Sequence, residues 1–130
     1  MSLNDPISDA LSKIYNAEKA GKKEVEIFPV SKVLLRILDI LRDHHYVGAY
    51  KLDETTRGKI LHLSLLGRIN KCGVIKPRFS ATLPEFNKYE KRFLPAIGFG
   101  VIIMTTPQGI LTLEEARKNH TGGKLLAYCY

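Results

Sequence analysis

The segment TTPQG, from Thr105 to Gly109, concentrates polar groups between two apolar runs, VIIM before it and IL after it. Its threonine hydroxyls can donate and accept hydrogen bonds, and its glutamine adds an amide. Gly109 permits a close backbone approach, and Pro107 offers a flat apolar ring without an N–H. Such groups at a strand end suit contacts with phosphate, ribose hydroxyls and base edges. An ordinary turn between two strands explains the same residues.

A second candidate for nucleic-acid contact is the stretch 68–93, in which basic and aromatic residues are interleaved. Such a mixture favours phosphate contacts combined with stacking on bases or sugars. The alternative is that the aromatic rings belong to the core and the charges are solvated, and we favour it for the phenylalanines. For Lys71, Arg78 and Tyr89 we favour contact with nucleic acid.

The distribution of charge also favours a polyanionic partner. The chain carries 20 Lys and Arg against 13 Asp and Glu, a net charge of +7. Residues 1–67 hold 10 basic and 9 acidic residues, whereas residues 68–130 hold 10 and 4. A basic half beside a nearly neutral half is typical of nucleic-acid binding through the basic part.

Motifs for catalysis or metal binding are missing from the sequence. It has no Walker loop, dinucleotide fingerprint, G-x-S-x-G or H-E-x-x-H motif. The histidines lack an orienting partner or metal-ligand spacing, so we predict structural roles for them. Cys72 and Cys129 are far apart and are predicted to be buried, reduced thiols. The sequence therefore indicates a binding protein without metal or cofactor. A small enzyme using Cys72 or the pair His44 and His45 is the less favoured alternative.

The sequence gives no sign of a membrane or secretory segment. No apolar run approaches the ~20 residues that a membrane-spanning helix needs. The N-terminal MSLNDPISDA has acids where a signal peptide carries positive charge. We expect a soluble cytoplasmic protein that is monomeric when free.

The first half of the chain predicts the order helix, strand, helix, strand, strand. DPISDALSKIYNAEKAG has helical spacing of its apolar residues, with Asp5 as the cap and Pro6 in the first helical position. KKEVEIF alternates as a half-buried strand that Pro29 ends, and Ser31 caps a second helix, KVLLRILDILRD. YVGAYKLDE and KILHLSLLG are strands joined by the turn ETTRG. This half is predicted to be a small α/β subdomain over residues 1–67.

The second half predicts mostly strands with one short helix. RINKCGVIKPRF is interpreted as an irregular, exposed junction because prolyl and glycyl breaks interrupt it. PEFNKYEKRFLPA is a short helical candidate, and FGVIIMTT, ILT and KLLAYCY are predicted strands. TLEEARKN starts with a capping box of Thr112 and Glu115, which predicts a helix. The predicted fold class is α+β, with a basic, mostly β subdomain at residues 68–130.

Together, several segments resemble the protein eight family of the small ribosomal subunit, in its archaeal and eukaryotic branch. The resemblance covers essentially the whole chain and is carried by DPISDALSKIYNAEKAGKKEV, PVSKVLLRILDILRDHHYVGAY, GRINKCGVIKPRF and KRFLPAIGFGVIIMTTPQGILTLEEARKNHTGGKLLAYCY. It implies two subdomains and direct binding, early in assembly, to an irregular helix in the central domain of small-subunit rRNA. It also implies neighbouring small-subunit proteins as partners, and it leaves open a regulatory role on the protein's own messenger RNA.

The resemblance extends to individual residues. The family's hydroxyl loop corresponds to Thr105–Gly109, and its C-terminal glycine pair corresponds to Gly122 and Gly123. Pro107 departs from the Ser or Thr of many members, which removes a hydroxyl and a backbone donor. The predicted RNA-binding residues, from the residue patterns and the resemblance together, are Asp5, Pro6, Lys13, Asn16, Lys32, Lys71, Arg78, Tyr89, Thr105, Thr106, Pro107, Gln108, Gly109, His120, Gly122 and Gly123.

Overall fold

A computed structural model describes residues 6–28, 30–55, 58–76, 79–96 and 99–130 of the chain. The fold is α+β, as predicted, and contains two antiparallel sheets. The chain divides into two compact units, Met1–Ile69 and Asn70–Tyr130, here termed the N-terminal and C-terminal units. Within the described ranges, no helix has the length and apolar character that crossing a membrane requires.

The N-terminal unit has the predicted order of elements. They are α1 (Pro6–Lys19), β1 (Glu24–Ile27), α2 (Lys32–Asp43), β2 (Val47–Thr55) and β3 (Gly58–Leu65). The three strands form a sheet in the order β1-β3-β2. The last pair of β2 and β3 joins Thr55 to Gly58, so both strands run further into ETTRG than predicted.

Helical periodicity explains how α1 and α2 pack. The predicted apolar stripes are buried, namely Ile7, Ala10, Leu11, Ile14 and Ala17 in α1 and Leu34, Ile37, Leu38 and Leu41 in α2. Ser31 caps α2 as predicted, since its hydroxyl accepts a hydrogen bond from the Leu34 N–H at 3.1 Å. Asp5 and Pro29, predicted as a helix cap and a strand end, lie outside the described residues.

Hydrogen bonds tie the end of the N-terminal unit back to α1. The Glu18 carboxylate accepts one from the backbone N–H of Gly67 and one from that of Ile69, each at 3.2 Å. Ile69 is also buried. Because these bonds hold the residues after β3, the compact unit extends to Ile69, whereas the sequence placed its limit at Gly67.

The C-terminal unit is built around its last strand. Its elements are β4 (Cys72–Val74), β5 (Ser80–Ala81), α3 (Phe86–Phe93), β6 (Val101–Thr106), β7 (Gly109–Thr112), α4 (Leu113–Lys118) and β8 (Gly123–Cys129). The sheet order is β4-β8-β6-β7, and β5 also pairs with β8. The core of this unit includes Ile75, Phe86, Ile102, Met104 and Leu125. Three strands, β4, β5 and β6, therefore pair with β8.

The prediction of an irregular, exposed junction over residues 68–79 is wrong for part of that segment. It contains β4, and Cys72 and Ile75 are buried. The Ile75 N–H donates to the Leu126 carbonyl at 2.9 Å, which continues the pairing with β8. A three-residue strand is too short to show alternation in the sequence, and its hydrogen-bond partners lie more than fifty residues away along the chain.

Candidate nucleic-acid interface

The TTPQG segment forms the tip of the hairpin between β6 and β7. Thr105 pairs with Ile110 and Thr106 with Gly109, so Pro107 and Gln108 form the connection. Gly109 has φ +119°, a conformation that glycine adopts without steric penalty. Thr105 and Thr106 are half-buried, while Pro107, Gln108 and Gly109 are exposed. The predicted loop is therefore presented at the end of a paired strand.

The Thr106 hydroxyl organises this loop from within. It accepts a hydrogen bond from the Gln108 N–H at 3.1 Å and donates one to the Gly109 carbonyl at 2.8 Å. Such a side-chain turn fixes the backbone of the connection. One acceptor position on the hydroxyl oxygen remains after these two bonds.

Gly123 lies directly against the hairpin, and its neighbour Gly122 lies against the end of β5. A Cβ on Gly123 would stand 2.1 Å from the Thr105 carbonyl oxygen and 3.1 Å from the Thr106 Cα. A Cβ on Gly122 would stand 2.8 Å from the Ala81 carbonyl oxygen. Real side chains do not fit at such distances, so both positions require glycine. The fold thus brings together two predicted parts of the site that are far apart in the sequence.

Lys124 belongs to this surface although it is not among the residues predicted from the sequence. It is exposed, and its backbone lies between Ser80 of β5 and Thr105 of β6. Its position immediately after the glycine pair was the only signal in the sequence. The site proposed from the structure, here called the loop surface, consists of Thr105–Gly109 and Gly122–Lys124.

The chain reaches the loop surface through the turn that ends α4. The predicted capping box starts this helix, with the Thr112 hydroxyl accepting from the Glu115 N–H at 3.1 Å. At its end, His120 is exposed and has φ +53°. The Thr121 N–H donates to the Ala116 carbonyl at 3.0 Å, which closes the turn before Gly122. His120 therefore lies two residues before the glycine pair, in a turn held by backbone bonds.

Arg117 fixes α4 on α3. Its guanidinium donates to Glu90, whose side chain is only 3% exposed, to Asn87 at 3.3 Å and to Glu114 at 3.0 Å. The hydrogen bond with Glu90 raises the pKa of Arg117 above its ordinary value. A buried carboxylate without a partner is strongly unfavourable, so this pair sets the position of α4 and of the turn that follows it.

The position of Tyr89 contradicts the prediction that its ring stacks on nucleic acid. The residue is 5% exposed and belongs to the core of the C-terminal unit. Its ring stacks on Phe79 at 5.6 Å and on Phe93 at 6.5 Å between centroids. Residues 86, 89 and 93 share one face of a helix, and this spacing explains the burial. Because neighbouring rings cover Tyr89, its role is packing.

Lys71 lies at the far end of β8 from the loop surface. Its backbone N–H and carbonyl both bond to Tyr130, each at 2.9 Å, whereas Lys124 is near the first residue of β8. At ~3.3 Å per strand residue, the two lysines are separated by roughly 20 Å along the strand. Lys71 is exposed but is not part of the loop surface. Arg78 lies outside the described residues.

The predicted residues of the N-terminal unit lie on its helices. Pro6 begins α1, and Lys13 and Asn16 are exposed on one face of it. These two side chains line a groove between α1 and β1. Lys32 is exposed in the first turn of α2. Asp5 lies outside the described residues.

The prediction that the histidines lack orienting partners is wrong for His62. Its Nε2 lies 2.8 Å from Asp53 Oδ2, and its Nδ1 lies 3.5 Å from Glu24 Oε1. The partners come from the strands on each side of β3, so only the sheet register reveals them. In the described part of the chain, no group of three or more His, Cys, Asp and Glu side chains could hold a metal ion. This cluster links three strands at the surface.

A small α+β protein with a strand-end hydroxyl loop, a close glycine pair and an exposed lysine has the features of an RNA-binding protein. The family model of ribosomal protein S8 matches residues 5–130. The small ribosomal subunit protein uS8 of Methanococcoides burtonii is 47% identical over 130 residues, which cover 100% of each chain. The chain belongs to the ribosomal protein S8 family, whose members are RNA-binding constituents of the small ribosomal subunit and not enzymes.

Substituting Gly123 by alanine is expected to lower the free energy of unfolding by about 1–3 kcal/mol, because the new Cβ would overlap the Thr105 carbonyl and force the strands apart. Urea denaturation followed by circular dichroism measures this difference. The matched control is Gly73→Ala in β4 of the same sheet, where a Cβ would make ordinary contacts with Tyr128 at 3.4 Å or more. Equal losses in the two variants would contradict the requirement for glycine at position 123.

Proposed function

We propose that this protein is a primary rRNA-binding protein of the small ribosomal subunit, which recognises an irregular helix in the central domain of the rRNA. In this proposal the loop surface contacts the RNA, and binding supports assembly of the subunit in cytoplasmic ribosomes. Neighbouring small-subunit proteins are its further partners. The proposal rests on the family and on the geometry of the loop surface.

The observation that carries the proposal is the close contact of Gly123 with the hairpin end. Thr105 and the exposed Lys124 are direct partners on the neighbouring strands β6 and β8, and the exposed Pro107 and Gln108 connect β6 to β7 in the same sheet. A rigid surface of this kind can bind without a large ordering cost. Its small residues allow the protein backbone to approach the RNA closely.

These groups suit recognition of RNA shape better than recognition of a regular duplex. An A-form helix hides its base edges in a deep major groove, and specific proteins usually contact irregular loops instead. The hydroxyl and amide groups of the loop can bond to ribose hydroxyls and to displaced base edges. Exposed lysines supply contacts with phosphates, which strengthen binding without regard to sequence.

The proposal predicts strong preference for an irregular RNA. The purified protein is titrated with a short transcript of the central-domain helix and with a fully paired duplex of equal length, at two salt concentrations. We expect tighter binding of the irregular transcript at both concentrations, with a log–log salt slope near −4 if about five phosphates are contacted. Equal affinities that fall together with salt would refute specific recognition and leave a non-specific basic protein.

Replacing Thr106 by valine tests the hydroxyl loop. The variant loses both hydrogen bonds of the turn, so its affinity for the irregular transcript is expected to fall by about 1–3 kcal/mol. Thr106→Ser keeps the hydroxyl and serves as the control, with an affinity close to that of the unmodified protein. Thermal unfolding of both variants verifies that they remain folded. An unchanged affinity of the valine variant would remove the loop from the proposed interface.

Replacing Lys124 by alanine tests whether this lysine of the loop surface contacts an RNA phosphate. Loss of one phosphate contact should reduce the magnitude of the salt slope by roughly 0.7–0.9 and weaken all RNAs alike. Lys51→Ala is the control, because this exposed lysine lines a groove of the N-terminal unit with Glu24 and Asp53. The same change in Lys71 measures whether RNA also reaches the far end of β8. A slope unaffected by Lys124→Ala would exclude this residue from phosphate binding.

A further inference from the structure

We propose that Cys72 and Cys129 form a modification site, at which a low-molecular-weight disulfide oxidises the two thiols to an intramolecular disulfide. The two residues are direct partners in the register of β4 and β8. Both are buried thiols, with Cys72 6% and Cys129 1% exposed. Residues directly opposite each other in an antiparallel pair direct their side chains to the same face of the sheet.

The hydrogen bonds around the pair define its geometry. Lys71 and Tyr130 exchange both backbone bonds, each at 2.9 Å, and are therefore a hydrogen-bonded pair. Since such pairs alternate along an antiparallel ladder, the next pair, Cys72 with Cys129, is of the non-hydrogen-bonded kind. The Ile75 N–H bond to Leu126 agrees with this alternation.

This kind of pair brings the two cysteines within reach of each other. Non-hydrogen-bonded partners have Cα atoms about 4.5 Å apart, whereas disulfides span roughly 4.4–6.8 Å between Cα atoms. The Cα–Cα distance of this kind of pair therefore lies at the lower limit of the disulfide range, without any movement of the strands. The spacing of the two cysteines in the sequence does not predict their pairing, because β4 and β8 come from opposite ends of the C-terminal unit.

The reaction consists of two thiol–disulfide exchanges. With oxidised glutathione, the thiolate of one cysteine attacks a glutathione sulfur, forms a mixed disulfide and releases one glutathione. The second cysteine then attacks the protein sulfur of that mixed disulfide and releases the other glutathione. The protein loses two electrons and two thiol protons, and the two glutathione thiols receive them.

Cys72 is the residue that reacts first. It is the more exposed of the two, and β4 has three residues and pairs only with β8 among the described strands. Short edge strands open locally at a lower free energy than central strands. Cys129 belongs to β8, an interior strand that is paired with β4 on one side and with β6 on the other. It is therefore the second cysteine to react, and it attacks the mixed disulfide formed at Cys72.

The test incubates the full chain with oxidised glutathione under native conditions, blocks the remaining thiols with a maleimide and measures the intact mass. We expect a monomer that has lost two hydrogens, takes up no maleimide and yields a peptide linking Cys72 to Cys129. The apparent melting temperature should rise by about 5–15 °C, because the bond closes nearly the whole C-terminal unit into one loop. A stable mixed disulfide, a disulfide-linked dimer or an unreacted protein would overturn the proposal.

A diagonal pair provides the matched control. The double variant Cys129→Ser with Ala127→Cys keeps two cysteines on the same face, but about 7–8 Å apart on the diagonal. It should stop at the mixed disulfide with glutathione. If that variant is unfolded by circular dichroism, Cys72→Ser with Val74→Cys gives the other diagonal of the same two residue pairs, from position 74 to Cys129. Closure of a folded diagonal variant at the rate of the unmodified protein would show that the register does not direct the reaction, and would overturn the proposal.

Discussion

The C-terminal unit depends on the close approach of β8 to the end of β6, which only a residue without a side chain allows. Gly123 stands so near the Thr105 carbonyl that a Cβ there would lie 2.1 Å from the oxygen. From this point β8 runs through the sheet and pairs with β6 on one side and with β4 and β5 on the other. A shift at its first residue would therefore change the register of three strands and displace the hydroxyl loop.

The loop proposed to bind RNA is fixed by its own hydrogen bonds. Thr106 uses its hydroxyl for two internal bonds, so it shapes the loop, while the exposed groups of Pro107 and Gln108 face solvent. A loop already fixed by its own hydrogen bonds loses little conformational entropy on binding. Pro107 stiffens it further, because its ring limits the backbone. In the proposed interface, Pro107 therefore contributes rigidity to the loop rather than a hydrogen bond from a hydroxyl.

Sequence periodicity predicted the elements whose signal is local. The stripes of α1 and α2, the Ser31 cap and the capping box of Thr112 and Glu115 were all confirmed, because three- and four-residue spacing and cap chemistry are decided within one turn. Features that depend on strand register were missed. The strand β4, the partners of His62 and the position of Lys124 each arise from residues that are distant in the chain. The basic and aromatic composition of residues 68–93 wrongly predicts a surface position for Tyr89, whereas its helical spacing from Phe86 and Phe93 explains its burial.

Part of the positive charge of the C-terminal half is engaged in contacts within the unit. Arg117 is engaged with the buried Glu90, and the Arg92 guanidinium lies 4.8 Å from the Phe79 ring centroid and 5.4 Å from that of Phe93. Cations held in this way stabilise α3 and α4 through hydrogen bonds and cation–π contacts. Because Arg117 and Glu90 cancel each other, the excess of positive charge in this half is carried by its other basic side chains, including the exposed Arg92. In the proposed interface, exposed lysines such as Lys124 supply the salt-dependent attraction, whereas Arg117 holds α4 on α3 and so helps the loop surface to keep its shape.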